Sequence, residues 1–251
     1  MAPRQTHHLR RDGDLITKTY RTWQRGEPRR EWGTLTRLAE SAPGLAPEPI
    51  AADLGAEPPW ITMTVLPGRP IAGRWTDDQV ALLAGAMERL WQTPTDGLDS
   101  IGVHRPAYWV ELAAATARPD GPEGELYDRV VEWFAELDVL LDGSAAQILG
   151  QGDPQAGNMI FDGRQVRLVD FEDAGASDLC FELANFAEHL GNRGTGLERL
   201  ADHFEVDHQR LWLCRRLLAS FWFLRLLPVR AERGADFAHQ TERLVDLLGR
   251  P

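Results

Sequence analysis

Two cysteines in 251 residues are too few for a disulfide framework. Both, Cys180 and Cys214, fall in apolar stretches of helical spacing. They read as reduced core residues, which predicts a reducing compartment and a cytoplasmic location. No Cys/His spacing of a zinc site occurs. His7-His8 reads as a polar strand edge or a mobile terminus rather than a site. Long apolar runs are missing as well. The opening MAPRQTHHLRRDGD has no apolar signal core, so nothing points to export. The most apolar stretch, Leu211 to Leu227, is interrupted by Arg215, Arg216 and Arg225 and reads as buried helix, not a membrane span. Basic charge is in deficit: 27 Lys and Arg stand against 38 Asp and Glu, a formal net charge of −11. That argues against nucleic acid and anionic membranes as partners and is compatible with a cationic small molecule. No internal repeat and no low-complexity tract is present.

What is present is ordinary for a globular protein, 43% hydrophobic and 26% charged residues. The length allows one large domain or two lobes sharing a cleft. Apolar spacing changes character near Pro67-Gly68. Before it, His8-Leu9-Arg10 and Leu15 to Tyr20 flank the turn signal Asp12-Gly13, and Trp60 to Leu66 is strand-like. One helix interrupts the strands, opened by Pro28 and ended by Pro43 and Pro47; Glu31 borders its buried stripe with Leu35 and Leu38. After it, helices are predicted over Asp77 to Gln92, Pro106 to Arg118, Glu123 to Leu141, Ser177 to Leu190, Asp207 to Leu227 and Arg230 to Leu248. Ser177 or Asp178 caps the fourth. Gly97 to Ser100 and Pro119 to Pro122 read as loops. Trp212, Phe221, Trp222 and Phe223 are core by default.

The stretch from Ile148 to Asp173 carries the chemistry. Two apolar runs, Asn158 to Phe161 and Val166 to Val169, are joined through Asp162-Gly163. Asp-Gly between such runs predicts a hairpin with a type I′ turn, both central residues at φ > 0. Asp153 stands in the loop before the hairpin, Asn158 at its start and Asp170 at its end. The ends of a hairpin lie close together, so two carboxylates and an amide oxygen converge, a donor set suited to Mg²⁺. Gly150-Gln151-Gly152 also invites a dinucleotide-binding reading, with Asp170 placed for the ribose. That motif needs a long helix after the glycines, and Pro154, Gly157 and Asp162-Gly163 leave no room for one.

The pattern Gly152-Asp153-x-x-x-x-Asn158, a hairpin, then Asp170-Phe171-Glu172 resembles the catalytic and metal-binding segments of the aminoglycoside phosphotransferase/choline kinase family. Gln151 stands where that family usually has His. The resemblance implies an α+β, protein-kinase-like, two-lobed fold. Residues 1–66 would be a small, mostly β N-lobe with one helix, and residues 67–251 a larger, mostly helical C-lobe carrying the catalytic hairpin. It further implies that Asp153 orients the acceptor hydroxyl and takes its proton, and that Asn158 and Asp170 hold Mg²⁺. Lys18, paired with Glu31, would bind the phosphates of ATP, with GTP as the alternative nucleotide. Thr62 to Leu66 would link the lobes, with Met63 and Val65 lining the adenine pocket. Asp178 and Glu182 match an acidic pair in the family's next helix, where capping and scaffold ion pairs are the plainer expectation. Glu172, Asp173, Glu182 and Glu188 are candidates to bind a cationic acceptor, an amino alcohol or an aminoglycoside-like molecule.

One departure stands out. The family's first strand and Gly-rich turn should precede His8, where seven residues hold no Gly-rich loop. Either a start at Met1 is too late, or Arg4-Gln5-Thr6 forms a reduced cover, or nucleotide binding is weak. The expected activity is therefore a small-molecule kinase. The alternative is a catalytically impaired kinase-like protein that serves as a binding or regulatory module, favoured by the missing turn and by Gln151.

Overall fold

The structure, a computed structural model, describes residues 7–99, 106–135, 137 and 148–249. The proposed cover Arg4-Gln5-Thr6, the loop end at Ser100 and the end of the helix predicted to reach Leu141 lie outside them. The fold is α+β. By its contacts the chain groups into two compact units, residues 1–99 with 148–176 and residues 100–147 with 177–251.

The first unit is built on an antiparallel sheet in the order β1-β2-β4-β3. Its strands are β1 (His8–Asp12), β2 (Leu15–Thr19), β3 (Pro49–Asp53) and β4 (Trp60–Thr64). Register places Lys18 opposite Leu9 on one side and Ile61 on the other, and Ile16 opposite Met63. Directly paired residues share a face, and so do residues two apart. Lys18 therefore projects from the same face as Ile16, Ile61 and Met63. The first hairpin turns at Gly13-Asp14, with Gly13 at φ 59°. Strand β3 went unpredicted because PIAAD is alanine-rich and largely exposed, so it carries little apolar alternation.

Helix α1 (Glu27–Ser41) follows Gly26, which takes φ 81°, and opens with Pro28 in its first turn. Glu31, Leu35 and Leu38, spaced by four and three, form its buried stripe. Helix α2 (Asp77–Trp91) is fixed by a capping box in which Thr76 and Gln79 exchange side-chain and backbone bonds. It packs on β6 (Ile148–Gly150) and on β8 (Val166–Leu168). Strand β8 pairs with β7 (Met159–Phe161), and β7 with β5 (Arg69–Pro70). Strand β6 pairs with β9 (Gly175–Ser177), along which the chain leaves this unit.

The hairpin after Asn158 forms, but not with the expected turn. Phe161 pairs with Val166, so four residues make the loop, and Gly163 alone among them has a positive φ. The Asp162 carboxylate accepts the amides of Arg164 and Gln165 and the guanidinium of Arg167, which closes a wider loop than type I′.

The second unit is helical. It contains α3 (Pro106–Ala114), α4 (Pro122–Phe134), α5 (Leu179–Glu188), α6 (His208–Leu226) and α7 (Gly234–Gly249). Helix α6 packs on α5 and α7, and α3 on α4, around Trp109, Val130, Phe181, Leu217, Phe223 and Leu244. Asp178 caps α5 through the Phe181 amide, and Asp207 caps α6. Helix α7 begins at Gly234, later than the predicted Arg230, after the 3₁₀ segment Leu227–Val229 and a turn over residues 230–233. Among the described residues no helix is long and apolar enough to cross a membrane.

Candidate active site

The site residues that stand in the first unit gather around Lys18. Its Nζ lies 2.7 Å from Glu31 Oε2, 2.6 Å from Asp170 Oδ1 and 2.8 Å from Glu172 Oε2. Strand β2 supplies the lysine, α1 the first carboxylate and the segment after β8 the other two. Oxygens of these three carboxylates come within 4.8 Å of one another. Burial of Lys18 would lower its pKa, but the charges of Glu31, Asp170 and Glu172 outweigh that and raise it. Burial raises the pKa of Glu31 and of Asp170, against the pull of Lys18 in both cases. The cluster is thus a buried ammonium shared by carboxylates that pay a desolvation cost.

Asp170 is held in an unusual backbone state. It is the one non-glycine among the described residues at positive φ, 66°. Such conformations cost free energy and persist where the surroundings impose them. Lys18 is the one side chain of the described residues bonded to its carboxylate.

The loop before the hairpin is equally constrained. Gly152 has φ 82°, and a β-carbon there would overlap the backbone oxygen of Asp173. Gln151 is fully buried and donates to the Val169 carbonyl at 2.8 Å, tying the loop to the hairpin's far strand where the resembled family has His. The Asp153 carboxylate accepts from Gln155 Nε2 at 2.6 Å. Asn158 Nδ2 bonds the Asp153 carbonyl at 3.0 Å and its carboxylate at 3.3 Å. With the amide nitrogen turned to Asp153, the Asn158 oxygen is the atom left to meet a cation. Asp153 also acts on Asp170 through its charge. Carboxylate and amide oxygens are the donors that Mg²⁺ takes, so Asp170 and Asn158 fit that ion chemically.

The other predicted residues fall as follows. Met63 is buried on β4, and Val65 follows that strand with its amide bonded to the Asp14 carbonyl at 2.8 Å. Asp173 meets Arg25 at 3.1 Å and Arg30 at 3.7 Å. In the second unit, Glu182 is fully buried and accepts from the Ser177 hydroxyl. Glu188 is buried and binds Arg215 at 2.6 Å and Arg243 at 2.7 Å. Asp178 binds Arg210 at 2.9 Å besides capping α5.

Sequence reasoning missed two residues. Tyr20 is fully buried and its hydroxyl donates to Glu31. His7 is no loose strand edge: it is 5% exposed, with Nε2 2.6 Å from Glu172 Oε2. A signal for the centre of the cluster was present. Of 27 basic residues Lys18 is the sole lysine, and all the others are arginine. Nothing in periodicity marked Tyr20 or His7.

A family profile described as "Phosphotransferase enzyme family" matches residues 4–218. The chain belongs to that family. Solved structures agree on the fold. A choline/ethanolamine kinase family protein from Mesorhizobium loti superposes with a TM-score of 0.69 at 17% identity, covering 98% of this chain and 86% of that one. Choline kinase LicA from Streptococcus pneumoniae gives 0.67 at 16%, covering 99% and 91%. The GDP complex of wild-type aminoglycoside 2′-phosphotransferase-IIIa gives 0.65 at 16%, also covering 99% and 91%. At such identities the likeness establishes the fold, which is protein-kinase-like. No curated protein matches the chain.

Proposed function

We propose that this phosphotransferase moves the γ-phosphate of ATP or GTP to a hydroxyl of a small molecule. The observation that carries the reading is the meeting of Lys18 with Glu31 and Asp170, from β2, α1 and the end of the catalytic hairpin. Phosphoryl transfer asks mainly for positioning and charge neutralisation. Lys18, anchored by Glu31, meets the phosphates. Asp153 holds the acceptor hydroxyl and accepts its proton, and Gln155 and Asn158 hold Asp153 in turn. Asn158 and Asp170 would hold Mg²⁺, which when bound neutralises phosphate charge. Met63 shares the face of Lys18 and is assigned with Val65 to the base. By role, residues 1–66 form the nucleotide side and residues 67–251 the acceptor side, although residues 148–176 group by contacts with the first 99.

A cationic acceptor, an amino alcohol or aminoglycoside-like molecule, is supported by the net charge of −11 and by the acceptors named for the structural neighbours. Glu172, Asp173 and Glu188 already hold cations of the chain, so such an acceptor would exchange with arginine or lysine there. The rival reading, an impaired binding module, draws on the same cluster, since Lys18 is closed on Asp170.

The test is calorimetric binding of Mg-ATP and Mg-GTP, with nucleoside diphosphate release measured over a panel of amino alcohols and aminoglycosides. Asp153→Asn is expected to abolish turnover with nucleotide affinity nearly intact, and Asp170→Asn to lose both. Absence of nucleotide binding in the parent protein would refute the kinase reading. Binding with no turnover on any acceptor would favour the rival.

A further inference from the structure

Glu31 and Glu172 each have a second polar side chain against them, and those two side chains touch. The Tyr20 hydroxyl donates to Glu31 Oε2, the same oxygen that accepts Lys18. His7 Nδ1 accepts the Arg21 amide at 3.2 Å, so the ring proton sits on Nε2. That nitrogen lies 2.6 Å from Glu172 Oε2, again the oxygen that accepts Lys18. The contact is not aligned as a straight hydrogen bond. The distance is that of an ion-pair contact between the ring and the carboxylate. The His7 and Tyr20 rings pack with centroids 4.8 Å apart, and the ammonium lies 5.1 Å from the Tyr20 ring centre. Asp170 has no such second holder among the described residues, and its side chain is 33% exposed, against 2% for Glu31 and 13% for Glu172.

We propose that His7 and Tyr20 are positioning residues for Lys18, fixing Glu172 and Glu31 so that the lysine keeps two anchors when Asp170 turns to a metal ion. The proposal rests on the kinase reading for its purpose, but the clamp itself is a property of this chain's own residues. It divides the three carboxylates by role: Asp170 is exchangeable, whereas Glu31 and Glu172 are held. A lysine kept in place this way needs no reordering when phosphate arrives, which lowers the cost of binding. Glu172 is thereby an anchor of Lys18 before it is a contact for any acceptor.

Lys18 is the sole lysine, so its reactivity reports the clamp without any nucleotide. The experiment is acetylation by acetic anhydride, followed by mass spectrometry of the peptide that contains residue 18. The proteins are the parent, His7→Ala, His7→Gln and Tyr20→Phe, each checked for folding by circular dichroism. Loss of one holder is expected to speed acetylation about fivefold to tenfold, the scale of one ordinary hydrogen bond. His7→Gln, which keeps a donor near the position of Nε2, is expected to restore most of the slow rate. Tyr20→Phe keeps the ring and its contact with His7, so an unchanged rate in that folded variant overturns the proposal. Equal acceleration by His7→Ala and His7→Gln also overturns it, because filling space would then be the whole role. Mg-ATP added to the parent protein is the separate arm: failure to protect Lys18 would count against the kinase reading and leave the contrast between variants standing.

Discussion

At the scale of residues, the site is a problem of charge balance. Removing the Lys18 ammonium leaves Glu31, buried, facing Asp170 and Glu172, both half-buried. Breaking a buried ion pair from one side costs about 3–5 kcal/mol. Glu31 and Asp170 have folded-state pKa values raised by burial even with Lys18 present, and its loss raises them further. A carboxyl with a raised folded pKa binds protons in the folded state that the unfolded state has released. Stability therefore increases as pH falls through that range. Lys18→Met is accordingly expected to be much less stable than the parent at pH 8 and to recover a large part of the deficit by pH 5, as read by urea denaturation. A deficit independent of pH would mean that packing, not charge, holds the cluster. Gly152 is constrained differently. Its positive φ and its approach to the Asp173 backbone admit no β-carbon. Gly152→Ala is expected to cost about 1–3 kcal/mol and to weaken nucleotide binding by displacing the segment around Asp173, as thermal melting and calorimetry would show.

Elements place these residues through short-range rules. The hairpin sets Asn158 beside Val169, the residue before Asp170, with the Asp162 carboxylate capping its loop, and α1 presents Glu31 because its stripe recurs at three and four. In the second unit, α5, α6 and α7 are tied by one acid: Glu188 from α5 binds Arg215 from α6 and Arg243 from α7. Both arginines are partly exposed, so solvent weakens the pairs, and the helices also share an apolar core. Glu188→Gln keeps shape and some hydrogen bonding while removing the charge. The expected result is a loss of about 1–2 kcal/mol in stability with nucleotide affinity unchanged, measured by denaturation and calorimetry. A variant of parental stability with an impaired acceptor KM would instead place Glu188 at the acceptor.

At the scale of the whole molecule, Lys18, Glu31, Asp153, Asn158, Asp170 and Glu172 all belong to the unit formed by residues 1–99 and 148–176. Nucleotide should therefore be felt first there. Hydrogen exchange with and without Mg-ATP is expected to slow in β2, α1 and residues 153–173, with smaller changes in α3, α4, α6 and α7. Ligand at a hundred times its Kd would add about 2.7 kcal/mol to the stability of the folded state. Protection confined to the second unit would place the nucleotide elsewhere.

The order of chemistry-bearing residues was legible along the chain because loops, turns and helix faces are local. Gly-Asp in a loop of Gly and Pro, the hairpin that carries Asn158 towards Asp170, and Glu31 on an apolar stripe each follow from neighbours a few residues apart. Details within those elements were open to competition from side chains. Asp162 capped a four-residue loop where Asp-Gly alone suggested a tighter one, and a turn over residues 230–233 precedes the last helix. What only the tertiary structure decided is which groups share a charge. Lys18 meets Asp170 across 152 residues and Glu172 across 154, and His7 reaches Glu172 over a still longer stretch. No periodicity encodes such meetings. They arise when buried carboxylates and a buried ammonium have one another as the available partners, because leaving any one of them unpaired in the core costs more than bringing them together.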